Sequence, residues 1–286
     1  MLGASFFFAA VGAIARILSP EIPTAELVLF RNMVGVVFIL WSIWQRPVVQ
    51  SGGKLGLLVF RGIMGTMALY LFFYAISQIG LAEAITYQQS YPLFIAVFSI
   101  FLAGGERLSL REYGVVLIGF GGVFLIFLPQ FSMNGGDIWS HSLGLVNAIF
   151  TALAYMSIRL LSSHYDARII VLSFMLSGII IPLATLGMGE LGLMPQLGWM
   201  VDRFVWPDLV QWIWLLALGL AALIGQLWMT KAFALDKAGM IAAVGYSNIL
   251  FSIAFGFLLG DHMPGLLGFM GIMLVIMSGV LVALRR

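Results

Sequence analysis

The chain has 286 residues, of which 62% are hydrophobic, only 9% are charged and none is cysteine, and its mean hydropathy is +1.08. A soluble domain carries about 25% charged residues, so a water-soluble enzyme, a nucleic-acid binder and a disordered chain are all excluded. Zero cysteines removes disulfides, thiolate metal sites and thiol catalysis, and fourteen Lys/Arg against twelve Asp/Glu leave a net charge of +2.

In chain order, ten apolar stretches succeed one another at roughly 2–18, 25–44, 55–76, 82–102, 113–127, 143–161, 169–186, 209–233, 239–259 and 265–284. Their lengths bracket the ~20 residues a helix needs to cross ~30 Å of hydrocarbon, and the alternating ten-residue segments of a membrane barrel do not occur. The predicted fold class is an all-α integral membrane protein with ten transmembrane helices. No charge precedes the first stretch and no small-x-small cleavage site follows it, so a retained helix is expected rather than a signal peptide. Most connections are short and carry Gly, Pro or charge, as in Ser19-Pro20-Glu21 and Asp261-His262-Met263-Pro264. The exception is 187–208, which mixes Trp199 and Trp206 with Glu190, Asp202, Arg203 and Asp208. Trp beside charge suits a bilayer interface; the segment reads as an interfacial connector or as a lid over a cavity.

Orientation follows from Lys and Arg. With a cytoplasmic N-terminus, one side collects Arg46, Lys54, Arg107, Arg111, Arg159, Arg168, Lys231, Lys237, Arg285 and Arg286, whereas the other holds only Arg16 and Arg203. Both termini are therefore expected in the cytoplasm, in a plasma or bacterial inner membrane.

The chain also repeats itself. At an offset of 156, Ala82 falls on Ala238, Ile85 on Ile241, Tyr74 on Thr230 and Gly104 on Gly260. After small slips Glu106 meets Asp261, and Gly114 and Gly122 meet Gly271 and Gly279; more weakly, Arg16 matches Arg159. Two halves result, 1–132 and 133–286, each of five helices. Five is odd, so the second half enters the membrane from the opposite side. Inverted repeats with a site near mid-membrane are an architecture of secondary transporters, because two pseudo-symmetric arrangements of similar energy permit alternating access.

At these residues the sequence resembles the EamA-type transporters of the drug/metabolite transporter superfamily. The similarity rests on Phe30-Arg31, Arg61-Gly62 with Phe72-Phe73-Tyr74-Ala75, and Leu81-Ala82-Glu83-Ala84 followed by Tyr91-Pro92-Leu93-Phe94. Gly105-Glu106-Arg107 and Gly121-Gly122 continue it, and it covers almost the whole chain. The second half departs from the pattern: Asn248 stands for Pro92, and Asp261-His262 for Glu106-Arg107. The resemblance implies ATP-independent movement of amino acids, other small metabolites or drug-like compounds, often outward. It also implies a cavity lined chiefly by helices one to four and six to nine. The fifth and tenth helices would then scaffold or dimerise, so a monomer or a homodimer through them is expected.

Polar residues inside apolar stretches are costly in lipid and mark functional candidates. Arg31 and Arg61 each sit about six residues into a span, roughly 9 Å deep at 1.5 Å per residue, Arg31 towards the outside and Arg61 towards the cytoplasm. Each either anchors a helix end or contacts an anionic group of cargo. At 100° per residue, Glu83, Thr86, Tyr87, Ser90 and Tyr91 share one arc of the fourth span. That arc should look inward at a cavity, since polar groups in lipid need protein partners or water, and Pro92 should break the helix by freeing a carbonyl near Gln88. The alternative is a structural kink with its polar groups satisfied between helices. Asn248 and Ser252 form a weaker counterpart in the ninth span. Tyr70, Tyr74, Asn147, Thr151, Tyr155 and Gln226 are further polar or aromatic candidates, each open to the plainer reading of a helix–helix contact. The candidate binding set is Arg31, Arg61, Tyr74, Glu83, Thr86, Tyr87, Ser90, Tyr91, Asn248 and Ser252.

No acid lies mid-membrane, Glu83 being nearest to a cavity. Facilitated diffusion, coupling through Glu83 and coupling through the cargo's own charge all remain compatible with that pattern. A phosphate-cradling G-x-x-x-x-G-K-[ST] is missing, and His141, His164 and His262 read as solvated loop residues. Neither a metal nor a cofactor is expected, and catalysis is not. A channel, a membrane-embedded enzyme acting on lipids and a scaffold are the competing readings. Conductance, a chemically altered product, or indifference to substitution on the fourth helix would distinguish them.

Overall fold

A computed structural model describes residues 1–48, 52–101, 110–132, 138–235, 244–262 and 264–284. Gly104, Glu106, Arg107, Lys237 and the predicted start of the ninth span lie outside these residues. The described chain is helical throughout, with no strand. Its elements are Leu2–Leu18 (α1), Thr24–Gln45 (α2), Leu55–Ile79 (α3), Leu81–Gln89 (α4), Tyr91–Phe101 (α5), Leu110–Ser132 (α6), Ile138–Leu161 (α7), Ala167–Glu190 (α8), Leu209–Leu235 (α9), Ser247–Leu258 (α10) and Leu266–Leu284 (α11), with one 3-10 turn at Pro195–Leu197. Among the described residues, five stretches are long and apolar enough to cross a membrane: Thr24–Gln45, Leu55–Ile79, Ile138–Ile158, Ala167–Glu190 and Leu209–Met229. Leu2–Leu18, Gly114–Ile126, Ser247–Leu258 and Leu266–Leu281 are shorter apolar helices.

Local chemistry sets several boundaries. Pro23 stands at the N-cap of α2, and the Asp166 carboxylate caps α8 by accepting the Arg168 backbone N–H. The single-residue link between α3 and α4 is Gly80 at φ +91°, a conformation that side chains with a Cβ rarely adopt. The predicted break in the fourth span is present: the helix stops at Gln89 and restarts at Tyr91. Pro92 cannot donate to the Gln88 carbonyl, and Ser90 turns its own N–H and hydroxyl back to Tyr87 O, at 3.0 and 2.6 Å. A second interruption lies in the ninth span, where Val244 and Gly245 are helical, Tyr246 is a turn and α10 begins at Ser247.

The helices pack as interlocked pairs. α1 lies on α9 and α10, α2 on α8 and α9, α3 on α7 and α8, α4 on α7 and α10, and α6 on α11. Tyr70, Phe73, Leu81, Ile85 and Tyr87 are wholly buried at the centre, while rows such as Leu40, Trp41 and Trp44 face outward, as lipid contact requires. Between α6 and α11 the backbones nearly touch. A Cβ placed on Gly122 would stand 2.7 Å from the Gly271 carbonyl oxygen, the close approach that small residues permit between membrane helices. The fifth and tenth spans thus pair with each other inside the chain.

Polar connections gather at two ends. At one, Arg168 donates to the Ser42 and Arg46 carbonyls, and Tyr165 accepts the Lys54 backbone N–H. At the other, the 187–208 segment is fastened down. Glu26 accepts Val205 N–H at 2.6 Å, Glu190 accepts Phe204 N–H at 2.9 Å, and Trp199 and Phe204 pack on the core.

Candidate functional site

Arg31 on α2 and Arg61 on α3 converge. Counted from opposite faces of the membrane, their depths left helix anchoring and cargo contact both open; both guanidinium groups meet the same ring, Phe174 on α8. The Cζ–centroid distances are 5.8 Å for Arg31 and 4.9 Å for Arg61. α2 reaches α8 through close contacts of Gly35 with Met175 and of Gly178 with Asn32, and α3 reaches it through Gly62 against Ser177 and Gly65 against Phe174. Those glycines let both helices approach the ring, so the arginines point into protein rather than towards a headgroup. Arg61 is only 7% exposed. Nε of Arg31 and both Nε and Nη1 of Arg61 are buried without a hydrogen-bond partner.

A small void lies beside Arg31, lined also by Gly35, Phe174 and Met175 and by Gly219 and Gln226 of α9; its volume is about 10 Å³, room for roughly one water. The Tyr155 phenol of α7 is within electrostatic reach of both arginines, and its ring meets Tyr91 edge-on at 4.9 Å. Of the predicted binding residues, Arg31, Arg61 and Tyr91 are thereby brought together.

The fourth-span arc behaves differently. Thr86 and Ser90 are wholly buried and back-bonded, Thr86 Oγ1 donating to Ala82 O at 2.7 Å. Tyr87 is equally buried, its hydroxyl 2.8 Å from His141 Nδ1. The arc faces protein, as lipid demands, but α7 occupies the space expected to be cavity. His141 is correspondingly not a solvated loop residue. It lies in α7 at 3% exposure, and an isolated His among apolar residues carried no signal of its partner. Ser252 back-bonds to Asn248 O at 2.6 Å. Tyr70 bonds Thr185, and Asn147 holds Ala68 O and receives Thr151, all as helix–helix or within-helix contacts. Tyr74 is half-buried in α3, outside the cavity lining. At the second helix break, Tyr246 Oη, Ser247 Oγ and Asn248 Oδ1 are buried without partners.

Glu83 is not in the cavity. A Cβ on Gly80 would lie 3.2 Å from Asp261 Oδ2 and 3.5 Å from Glu83 Oε2, so these two carboxylates share one end of the bundle. There Asp261 binds Arg16 and accepts Leu81 N–H at 2.9 Å. Sequence reasoning missed Phe174, Gly35, Met175 and Gly219, because apolar residues and glycines in apolar spans bear no distinguishing mark. The Arg16–Asp261 pairing had a faint signal, two opposite charges at span ends on the same assigned side.

The apolar bundle defines a multi-pass membrane protein, with a small void beside Arg31. The EamA-like transporter family model matches residues 1–128. Over 277 residues the chain is 32% identical to the pseudopaline exporter CntI of Pseudomonas aeruginosa, covering 96% of this chain and 91% of that one. It is 28% identical over 287 residues to an uncharacterized transporter of Helicobacter pylori (99% and 93%), and 28% over 277 residues to solute carrier family 35 member G1 of Mus musculus (91% and 71%). A crystal structure shares the fold at a TM-score of 0.59 and 20% identity, covering 99% of this chain and 95% of that one. The chain belongs to the EamA-like transporter family.

Proposed function

We propose that the chain is a secondary, ATP-independent transporter that exposes a cavity between two inverted halves, 1–132 and 133–286, to one compartment at a time. Its cargo would be a small metabolite, an amino acid or related compound, and its direction export. The observation that carries this reading is a single hydrogen bond: Gln89 Nε2 donates to Gly245 O at 3.0 Å, across 156 residues. That separation equals the repeat offset, so each residue bonds its own repeat mate. Two equivalent positions can touch only near the axis relating them. The helix breaks at Ser90 and Tyr246 obey the same offset. Discontinuous helices meeting at a repeat interface are where transporters of this type place their cargo and ion sites.

The packing supports the same axis. Exchange of the halves turns α1–α9 into α7–α3, α2–α9 into α8–α3, and α1–α10 into α7–α5; each of these pairs is in contact. It turns α2–α8 and α6–α11 into themselves, and they too are in contact. Similarity to a named exporter supports outward movement. The separation of Arg46, Lys54 and Arg168 at one end from Arg16 and Arg203 supports cytoplasmic termini in an inner or plasma membrane. Glu83, at the end opposite Arg168, would act in coupling rather than in cargo contact. Asn248 would offer its free oxygen at the second break.

The cysteine-free chain makes the test direct. Single cysteines at Pro20 and Ser163, in the equivalent first loops of the two halves, should label from opposite faces of right-side-out vesicles, and reconstituted protein should move solute down a gradient without ATP. Labelling of both from one face would refute the inverted halves; flux only with ATP would refute the secondary mechanism.

A further inference from the structure

Resting on that reading, the next inference concerns what stays fixed while the halves exchange access. The turn between α1 and α2 recurs between α7 and α8, 143 positions on. Ser19 N–H donates to Ala15 O and Ser162 N–H to Ile158 O, both at 2.9 Å. Ile22 bonds Leu18 O at 2.8 Å as Tyr165 bonds Leu161 O at 2.9 Å, and Leu27 bonds Pro23 O as Ile170 bonds Asp166 O, both at 3.2 Å. The same spacing relates the outward rows: Met33, Val37 and Leu40 of α2 are exposed, and so are Leu176, Ile180 and Leu183 of α8. After α8 the spacing grows to the 156 of Gln89 and Gly245, because the 187–208 connection is longer than its counterpart between α2 and α3.

At 143 positions, Asn32 is the mate of Met175 and Gly35 the mate of Gly178. A Cβ on Gly178 would meet the Asn32 amide, and one on Gly35 the Met175 side chain. Asn32 Nδ2 also donates to the Gly178 carbonyl at 3.4 Å. The contact is therefore reciprocal: each helix offers its glycine to the other's larger side chain, as across a two-fold axis. Its neighbours follow suit. Ser177 packs on Gly62 of α3, and its mate Val34 packs on Gly219 of α9. Between α6 and α11, Gly122 approaches Val275 N while Gly271 approaches Ile126 N, again two mated pairs.

Alternating access interchanges two pseudo-symmetric arrangements. A contact that the interchange maps onto itself exists in both arrangements, so nothing requires it to break. We infer that the α2–α8 crossing at Asn32, Gly35, Met175 and Gly178 is the pivot of the transport cycle, packed throughout while end contacts such as Arg16–Asp261 open and close. Glycine at both close approaches brings the two backbones together and leaves no side chain to lift over as one helix turns on the other.

The test measures distances between spin labels in vesicles, on cysteines introduced at lipid-facing positions where they leave the packing alone. Labels at the mates Val37 and Ile180 flank the crossing; labels at Ile17 and Leu258 flank the Arg16–Asp261 contact. Each pair is read in the parent and with Asp261→Asn. The 37–180 distance should stay within about 2 Å, the scale of a small helix adjustment, as one population. The 17–258 pair should gain a longer-distance population in Asp261→Asn. A second 37–180 population or a larger shift overturns the pivot, and so does a 17–258 distance that never changes, since nothing would then move about the crossing. Labelling of Pro20 and Ser163 from opposite faces tests the inverted halves separately. A moving crossing in a protein that passes that test loses the pivot alone; failure of that test defeats the transporter architecture itself.

Discussion

Arg16 and Asp261 join the first helix to the loop after α10 in a forked contact. Nε and Nη2 of the arginine donate to Asp261 Oδ1 at 3.0 and 2.8 Å, and Nη1 donates to the Ile76 and Ser77 carbonyls at 2.9 and 2.7 Å. The other Asp261 oxygen accepts the Leu81 N–H. One ion pair thus ties α1, the end of α3, the start of α4 and the end of α10 together. In the proposed architecture it clasps the two halves at the outer end.

That clasp should be a gate. Asp261→Asn or Arg16→Gln is expected to favour the outward-open arrangement, raising the labelling rate of a cysteine placed beside the void at Gln226 by an external reagent. A double-mutant cycle should give a coupling of roughly 1–2 kcal/mol, below the upper range for charge-assisted bonds because the pair is partly solvated. Unchanged labelling in both variants would remove the clasp from gating.

Pro92 holds open the break between α4 and α5. Pro92→Ala restores a donor to the Gln88 carbonyl and should lengthen the helix through Ser90. The expected result is several-fold slower transport with a midpoint as high as the parent's or higher. A normal rate would show that the break at Ser90 is incidental.

The α6–α11 contact predicts opposite outcomes for neighbouring glycines. A methyl on Gly122 meets the Gly271 carbonyl and Val275 N at 2.7 and 3.0 Å, backbone atoms that cannot rotate away, whereas nothing lies within 4 Å of one on Gly121. Gly122→Ala should destabilise the fold by about 1–3 kcal/mol, and Gly121→Ala should be neutral within roughly 0.5 kcal/mol. Equal midpoints would contradict the packing.

Asp166 supplies a pH signature at the other end. Hydrogen bonding from the Arg168 side chain, chiefly, holds its carboxyl below the ordinary value of 3.8. A depressed carboxyl stabilises the fold at pH above its unfolded value and loses that contribution as pH falls through the folded one. Stability lost between pH 4 and lower values, about one cap's worth of 0.5–2 kcal/mol, should therefore vanish in Asp166→Asn. Identical acid melting of parent and variant would show that the cap contributes nothing.

The helical class was legible because lipid leaves the backbone no alternative to internal hydrogen bonding. The break at Pro92 was legible too, since a missing donor is a local fact. The fourth-span polar arc was expected to look onto a cavity and packs against protein instead: a 100° rotation places Tyr87 on a face but cannot say that His141 will occupy it.

By itself, then, the sequence determined the membrane class and the candidate charges, properties of composition and spacing along one chain. Only the tertiary structure decided that Arg31 and Arg61 share Phe174, that Arg16 finds Asp261, and that Thr86 and Ser90 satisfy themselves within their own helix. The reason is physical. Depth along a helix follows from counting residues, whereas a side chain's neighbour depends on how closely glycines such as Gly35, Gly62 and Gly65 let other helices approach, and at which angle.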